Sequence, residues 1–177
     1  MPRKPGRQFF ANPGPTNIPD AVLRAMDRPT MDFNDPEFMA VYEDAVAGLK
    51  RVLGTDGEVF LMTASGHGAW EAALVNLFSP GDVVLAVESG WFSDTWAEMA
   101  RSHGIRAQLV EADWRRGSDM AAIEAALRED AGHVIKGVLC VQNETSTGLS
   151  LPIPEVRAAL DRAGHPALLL VDTISSL

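Results

Sequence analysis

Apolar positions run along this chain in two rhythms. From Glu58 onward, short apolar runs alternate with segments whose apolar residues return at helical spacing. The runs predict strands at 58–62, 82–87, 106–111, 137–141 and 167–171. The helical spacing predicts helices at about 68–78, 92–102, 119–129 and 154–163. Val83-Val84-Leu85-Ala86-Val87 and Leu168-Leu169-Leu170-Val171 are continuous apolar runs, the mark of parallel strands covered on both faces. Helices between them supply the crossovers, so the pattern predicts a doubly wound α/β domain. Its ligands should gather beyond the carboxyl ends of the strands.

Before Glu58 the pattern is purely helical. Pro19-Asp20 opens a short helix through Met26. Asp35-Pro36-Glu37 opens a longer one, with an apolar stripe of Phe38, Val41, Tyr42, Ala45, Leu49 and Val52-Leu53 that Gly54 stops. The proline-rich residues ahead of these read as an arm, residues 1–18, with 19–177 as the domain proper.

Composition narrows the function classes. Hydrophobic residues make up 46% of the 177 and charged residues 22%, which fits one globular core. The net charge of −9 and scattered basic residues argue against a nucleic-acid or anionic-membrane surface. No apolar run approaches membrane-spanning length, and the basic stretch Arg3-Lys4-Pro5-Gly6-Arg7 has no apolar segment behind it to form a secretion signal. Cys140 stands alone within an apolar run, which excludes a disulfide framework, predicts a cytoplasmic setting and makes a nucleophilic role improbable.

Four clusters fall where strands are predicted to end: Ser65-Gly66-His67-Gly68, Glu88 to Ser93, Gln142 to Gly148, and Asp172 to Ser176. The first sits between a strand and a helix. It reads either as an anion cradle of free backbone N–H groups or as a helix start capped by Ser65. Trp91 and Phe92 offer flat rings or core residues, 143–148 offers hydroxyl donors or an ordinary polar loop, and Asp172 offers a carboxylate or a cap. A flat heteroaromatic phosphate ester would use all four, and pyridoxal 5′-phosphate is such a molecule.

The sequence resembles the class V, fold type I, pyridoxal-phosphate aminotransferases, closest to the serine–glyoxylate and alanine–glyoxylate enzymes. The resemblance rests on Pro13-Gly14-Pro15-Thr16-Asn17-Ile18-Pro19, on Ala64 to Gly68 with Glu71-Ala72, on Asn143 to Gly148, and on Ala163 to Asp172 with Ser175-Ser176. It implies that Ser65, Gly66 and His67 hold the cofactor phosphate, Phe92 stacks on the ring with Trp91 ranked second, and Thr145 bonds near the 3-hydroxyl. It further implies that Asp172 pairs with the ring nitrogen, Ile174 covers the ring's other face, and Gly14 borders the substrate in a cleft often shared by a homodimer. Small amino acids and 2-oxo acids such as glyoxylate are the implied partners, serine being preferred to alanine as donor.

The family also needs a lysine to bind the cofactor covalently. The chain offers only Lys4, Lys50 and Lys136, none at the expected edge. It therefore reads as the amino-terminal part of a longer enzyme, incomplete at its carboxyl end, or as a natural partial protein; in either case it should be inactive alone. Related lyases such as cysteine desulfurases share the fold, and their cysteine would lie past Leu177. Two other classes remain. A nicotinamide-dinucleotide oxidoreductase domain would use Gly66-His67-Gly68 with Glu88, although Glu71 occupies the third glycine position. A non-catalytic α/β module would bind a partner through the arm.

Overall fold

The computed structural model describes residue 14 and residues 16–177. The chain divides into two compact units, residues 1–63 and 64–177. Most of the arm lies outside the described residues.

The first unit holds α1 (Asp20–Met26) and α2 (Pro36–Leu53). The start of α2 is built as its sequence demands: the Asp35 side chain accepts from the Glu37 N–H at 2.8 Å, and Pro36 occupies the first turn. Gly54 ends it in the left-handed region at φ 61°, where a side chain would be strained. Neither helix buries a residue, so Val41, Tyr42, Val52 and Leu53 of the apolar stripe face outward. Residues 58–62 correct the sequence reading. They form no strand and join no backbone ladder with any described residue, and Phe60 is 80% exposed. A strand exists only through its ladder with a neighbour. The run has strand composition and no ladder.

The second unit is the doubly wound domain. After α3 (Gly66–Leu77) come β1 (Val83–Val87), α4 (Trp91–Ser102), β2 (Arg106–Val110), α5 (Met120–Glu129), β3 (Ile135–Val141), α6 (Ile153–Ala163) and β4 (Leu168–Asp172). The four strands are all parallel, in the order β2-β1-β3-β4. Alternate residues of each strand feed opposite layers. Leu85, Val87, Val138 and Cys140 pack with Ile123, Leu127, Val156 and Leu160 of α5 and α6. Val84, Ala86, Leu139 and Val141 pack with Trp70, Leu74, Trp96 and Ala97 of α3 and α4. Each fully buried Leu or Val in these layers contributes about 1.5–3 kcal/mol. Gly137 has a packing reason: a Cβ there would stand 2.5 Å from the Phe78 ring, so the ring lies directly on the strand backbone. Burial pushes the Cys140 thiol up to about 12, which leaves it inert in the folded protein.

The strand order reverses direction between β1 and β3. Because the strands are parallel, the loops after β1 and β3 leave one rim, where the switch point opens a crevice between them and where the end of β4 meets the start of α3. At the opposite rim, the buried Asp130 carboxylate accepts from the N–H groups of Val134 and Ile135, at 3.0 and 2.7 Å. His165 Nδ1 accepts from the Ala167 N–H, so its Nε2 carries the proton and donates to Asp130 at 3.2 Å. Burial alone would raise the Asp130 pKa; the two N–H groups and the imidazole outweigh it and hold the carboxyl below its ordinary value.

Candidate active site

Ser65 occupies the N-cap position of α3 in extended conformation, yet its side chain makes no capping bond. Gly68 N–H bonds to the Ser65 carbonyl at 2.9 Å, and the N–H groups of Gly66 and His67 find no acceptor among the described residues. The positive end of this helix is therefore unspent. The glycines are needed by the chain itself. A Cβ on Gly68 would lie 2.5 Å from the Ala64 Cβ, and one on Gly66 3.0 Å from Ile174 Cδ1.

The neighbouring start of α4 is built the other way. Glu144, from the loop after β3, is fully buried and reaches across to it. Its carboxylate accepts from the N–H groups of Phe92 and Ser93, both at 3.1 Å, and from the N–H and hydroxyl of Ser146, at 3.1 and 2.7 Å. Ser146 Oγ in turn accepts from Trp91 N–H at 2.9 Å, and Thr147 Oγ1 donates to the Ser89 carbonyl at 3.0 Å. The two loops are thus clasped together. Gly90 permits it, because a Cβ there would stand 2.5 Å from Glu144 Cγ. Thr145 is half-buried and enters none of these bonds.

Asp172 ends β4. Its Oδ1 accepts from Ile174 N–H at 2.8 Å and its Oδ2 from the Trp70 indole N–H at 2.9 Å. It caps no helix. Asp172, Gly66, Ala69, Trp70, Leu170 and Ile174 line one largely apolar cavity of about 400 Å³. The His67 ring lies 4.6 Å from Trp70 and 6.4 Å from Phe92, and the Trp91 ring meets Phe92 edge-on at 4.9 Å. The structure therefore brings Gly66, Asp172 and Ile174 to one cavity, with Ser65 and His67 in the same helix start and Phe92 linked through aromatic contacts. Ile174 is 73% exposed. Gly14 is exposed and belongs to the first unit.

Within the second unit the one lysine stands apart from this cavity. Lys136 Nζ donates to the His133 carbonyl at the amino end of β3, the opposite rim. Lys50 lies on α2 and pairs with Glu58 at 3.6 Å. Lys4 lies outside the described residues. Glu88, the acid that a dinucleotide site would use, already accepts from Trp114 Nε1 at 2.8 Å and Ala112 N–H at 3.1 Å. That site would also need a strand at 58–62, which the fold lacks. Among the described residues there is no acidic, His and Cys grouping fit for a metal ion, and no helix long and apolar enough to cross a membrane.

Comparison with known proteins decides the family. The model of the aminotransferase class-V family matches residues 8–177. The chain belongs to that family. A serine–glyoxylate aminotransferase of Methylorubrum extorquens is 46% identical over 176 residues, covering 99% of this chain and 44% of that protein. An L-aspartate–glyoxylate aminotransferase of Paracoccus denitrificans is also 46% identical, over 93% of this chain and 42% of that protein. Among solved structures, the pyridoxamine–pyruvate aminotransferase of Mesorhizobium loti superposes with a TM-score of 0.87 at 25% identity, over 99% of this chain and 44% of that one. The chain thus spans less than half the length of these class V relatives. Two relatives at equal identity carry different amino donors in their names, so overall likeness does not separate the donors.

Two residues at this rim escape a reading of the sequence. Glu144 falls in the hydroxyl-rich loop three positions after the end of a mostly buried strand, where an acid can be drawn inside, and a buried acid must find donors. Trp70 falls within the helix predicted at about 68–78. A tryptophan one turn into a core-facing helix needs an acceptor for its N–H, and that requirement was the available signal.

Proposed function

We propose that this chain is the cofactor-grasping portion of a pyridoxal-phosphate aminotransferase that moves an amino group from a small amino acid, serine or alanine, to glyoxylate or a similar 2-oxo acid. The observation that carries the reading is the meeting of an uncapped helix start and a carboxylate on one apolar cavity. In this reading Ser65, Gly66 and His67 receive the phosphate on backbone N–H groups. Phe92 supplies a ring face, Thr145 a hydroxyl for the 3-position, Ile174 an apolar cover, and Asp172 the partner of the ring nitrogen. Asp172 has lone pairs to spare, since each oxygen accepts one bond here. When bound, the cofactor supplies an electron sink for bonds at the amino acid's α-carbon. Asp172 holds the proton on the ring nitrogen that keeps the sink effective. Gly14 borders the substrate in a homodimer's shared cleft.

The test is equilibrium binding of pyridoxal 5′-phosphate to the 177-residue chain, followed by absorbance and by borohydride reduction. Binding is expected to be reversible, to leave no reduced lysine adduct, and to weaken at least tenfold in Asp172→Ala, the scale of one charge-assisted hydrogen bond. Equal binding by Asp172→Ala would remove the carboxylate from the site.

A further inference from the structure

We propose that Trp70 is the positioning residue for the Asp172 carboxylate, so that a single helix sets both ends of the ligand. The inference rests on the reading of Asp172 as the ring-nitrogen partner.

Four observations carry it. Trp70 Nε1 donates to Asp172 Oδ2 at 2.9 Å, across 102 positions of sequence. The other oxygen is fixed from the opposite side by Ile174 N–H at 2.8 Å, so the carboxylate is held at both ends and cannot rotate without losing a bond. Trp70 is 5% exposed, and its ring is stacked on Trp96 of α4, with centroids 5.2 Å apart and planes within 10°. A side chain packed in this way has one rotamer, so its N–H is a rigid donor. Finally, Trp70 lies three residues after His67 on the same helix, and their rings touch at 4.6 Å. The helix that offers free N–H groups at its first turn thus grips the acid one turn later. The separation between anion cradle and carboxylate is set by helix pitch and one indole, and does not depend on loop conformation. That separation is what discriminates a ligand with an anion at one end and a protonated ring nitrogen at the other.

Trp114 provides the control. Its indole N–H donates to Glu88 at 2.8 Å and does not line the cavity, so replacing it by Phe removes a ring N–H that touches neither Trp70 nor Asp172.

The experiment compares the affinities of the 177-residue chain for pyridoxal 5′-phosphate and for its 1-deaza analogue, in which carbon replaces the ring nitrogen. The unsubstituted protein is expected to prefer the pyridine compound. Trp70→Phe should lower that preference about tenfold by weakening only pyridoxal-phosphate binding, whereas Trp114→Phe should keep it. Equal loss for both ligands in Trp70→Phe would assign Trp70 to packing alone, and an unchanged preference would detach it from Asp172; either overturns the proposal. If the unsubstituted protein shows no preference, the assignment of Asp172 itself fails, and the proposal with it. A second measurement needs neither the Trp70 variant nor ligand. In ¹⁵N-labelled protein, Asp172→Asn should move the Trp70 indole N–H resonance and speed its hydrogen exchange, while those of Trp91 and Trp114 stay in place. An unmoved Trp70 resonance would overturn the contact on which the proposal stands.

Discussion

Two helices begin on the same rim with the same dipeptide, and they end up opposite in character. Ser65-Gly66 opens α3 and Ser89-Gly90 opens α4. At α4 the first N–H groups are consumed by Glu144, an anion the protein carries itself. At α3 the serine side chain leaves the cap unmade, and the N–H groups stay open. A glycine turn before a helix is therefore no evidence of an anion site taken alone. What distinguishes the two is an acid some fifty residues away, which closes one end and leaves the other for a ligand.

The contrast can be broken most forcefully at Glu144. Glu144→Ala should cost about 3 kcal/mol in urea denaturation, because buried N–H groups lose a charged acceptor. Glu144→Gln should cost less, keeping one oxygen. The alanine variant also frees the N–H groups of Phe92 and Ser93 at the start of α4, so excess inorganic phosphate should raise its melting temperature more than that of the parent. A loss below about 1 kcal/mol would show that the two helix starts do not differ in the way described.

Asp130 sharpens the comparison, being the same device at the opposite rim: a carboxylate holding loop N–H groups, remote from the cavity. Its folded pKa is lowered, so its contribution is complete above the unfolded value of about 3.9 and is lost as pH falls through the folded one. Asp130→Asn should flatten the acid limb of a stability–pH curve and leave pyridoxal-phosphate affinity unchanged. An unchanged acid limb, or weakened affinity, would deny that Asp130 is purely structural.

The smallest effect is expected at Ser65. Since it makes no capping bond, Ser65→Ala should stay within about 0.5 kcal/mol of the parent, whereas Asp119→Ala, which removes the acceptor for Ala121 N–H at the start of α5, should cost about 1 kcal/mol. Equal losses in the two would mean that α3 is capped in solution after all.

How much of this was legible in the sequence follows from range. The helices and four of the five strands were readable because each rests on local periodicity, and Asp35, Pro36 and Gly54 mark the bounds of α2 by short-range chemistry. The run at 58–62 misled because an apolar composition describes a strand's side chains and is silent on whether a ladder partner exists. At the site, the motif residues Gly66, Asp172 and Ile174 were identifiable and do share a cavity. The bonds from Trp70 to Asp172 and from Glu144 to Phe92 were invisible, since they join positions 102 and 52 apart whose meeting depends on the strand order.

Cys140 has a use that follows from its place in β3, an interior strand of the sheet. A thiol enclosed on all sides and held protonated ignores alkylating reagents until the sheet separates. The pace at which a maleimide tags the native protein therefore counts how often the whole domain opens. With no second sulfhydryl to confuse the signal, the chain carries its own clock for kinetic stability.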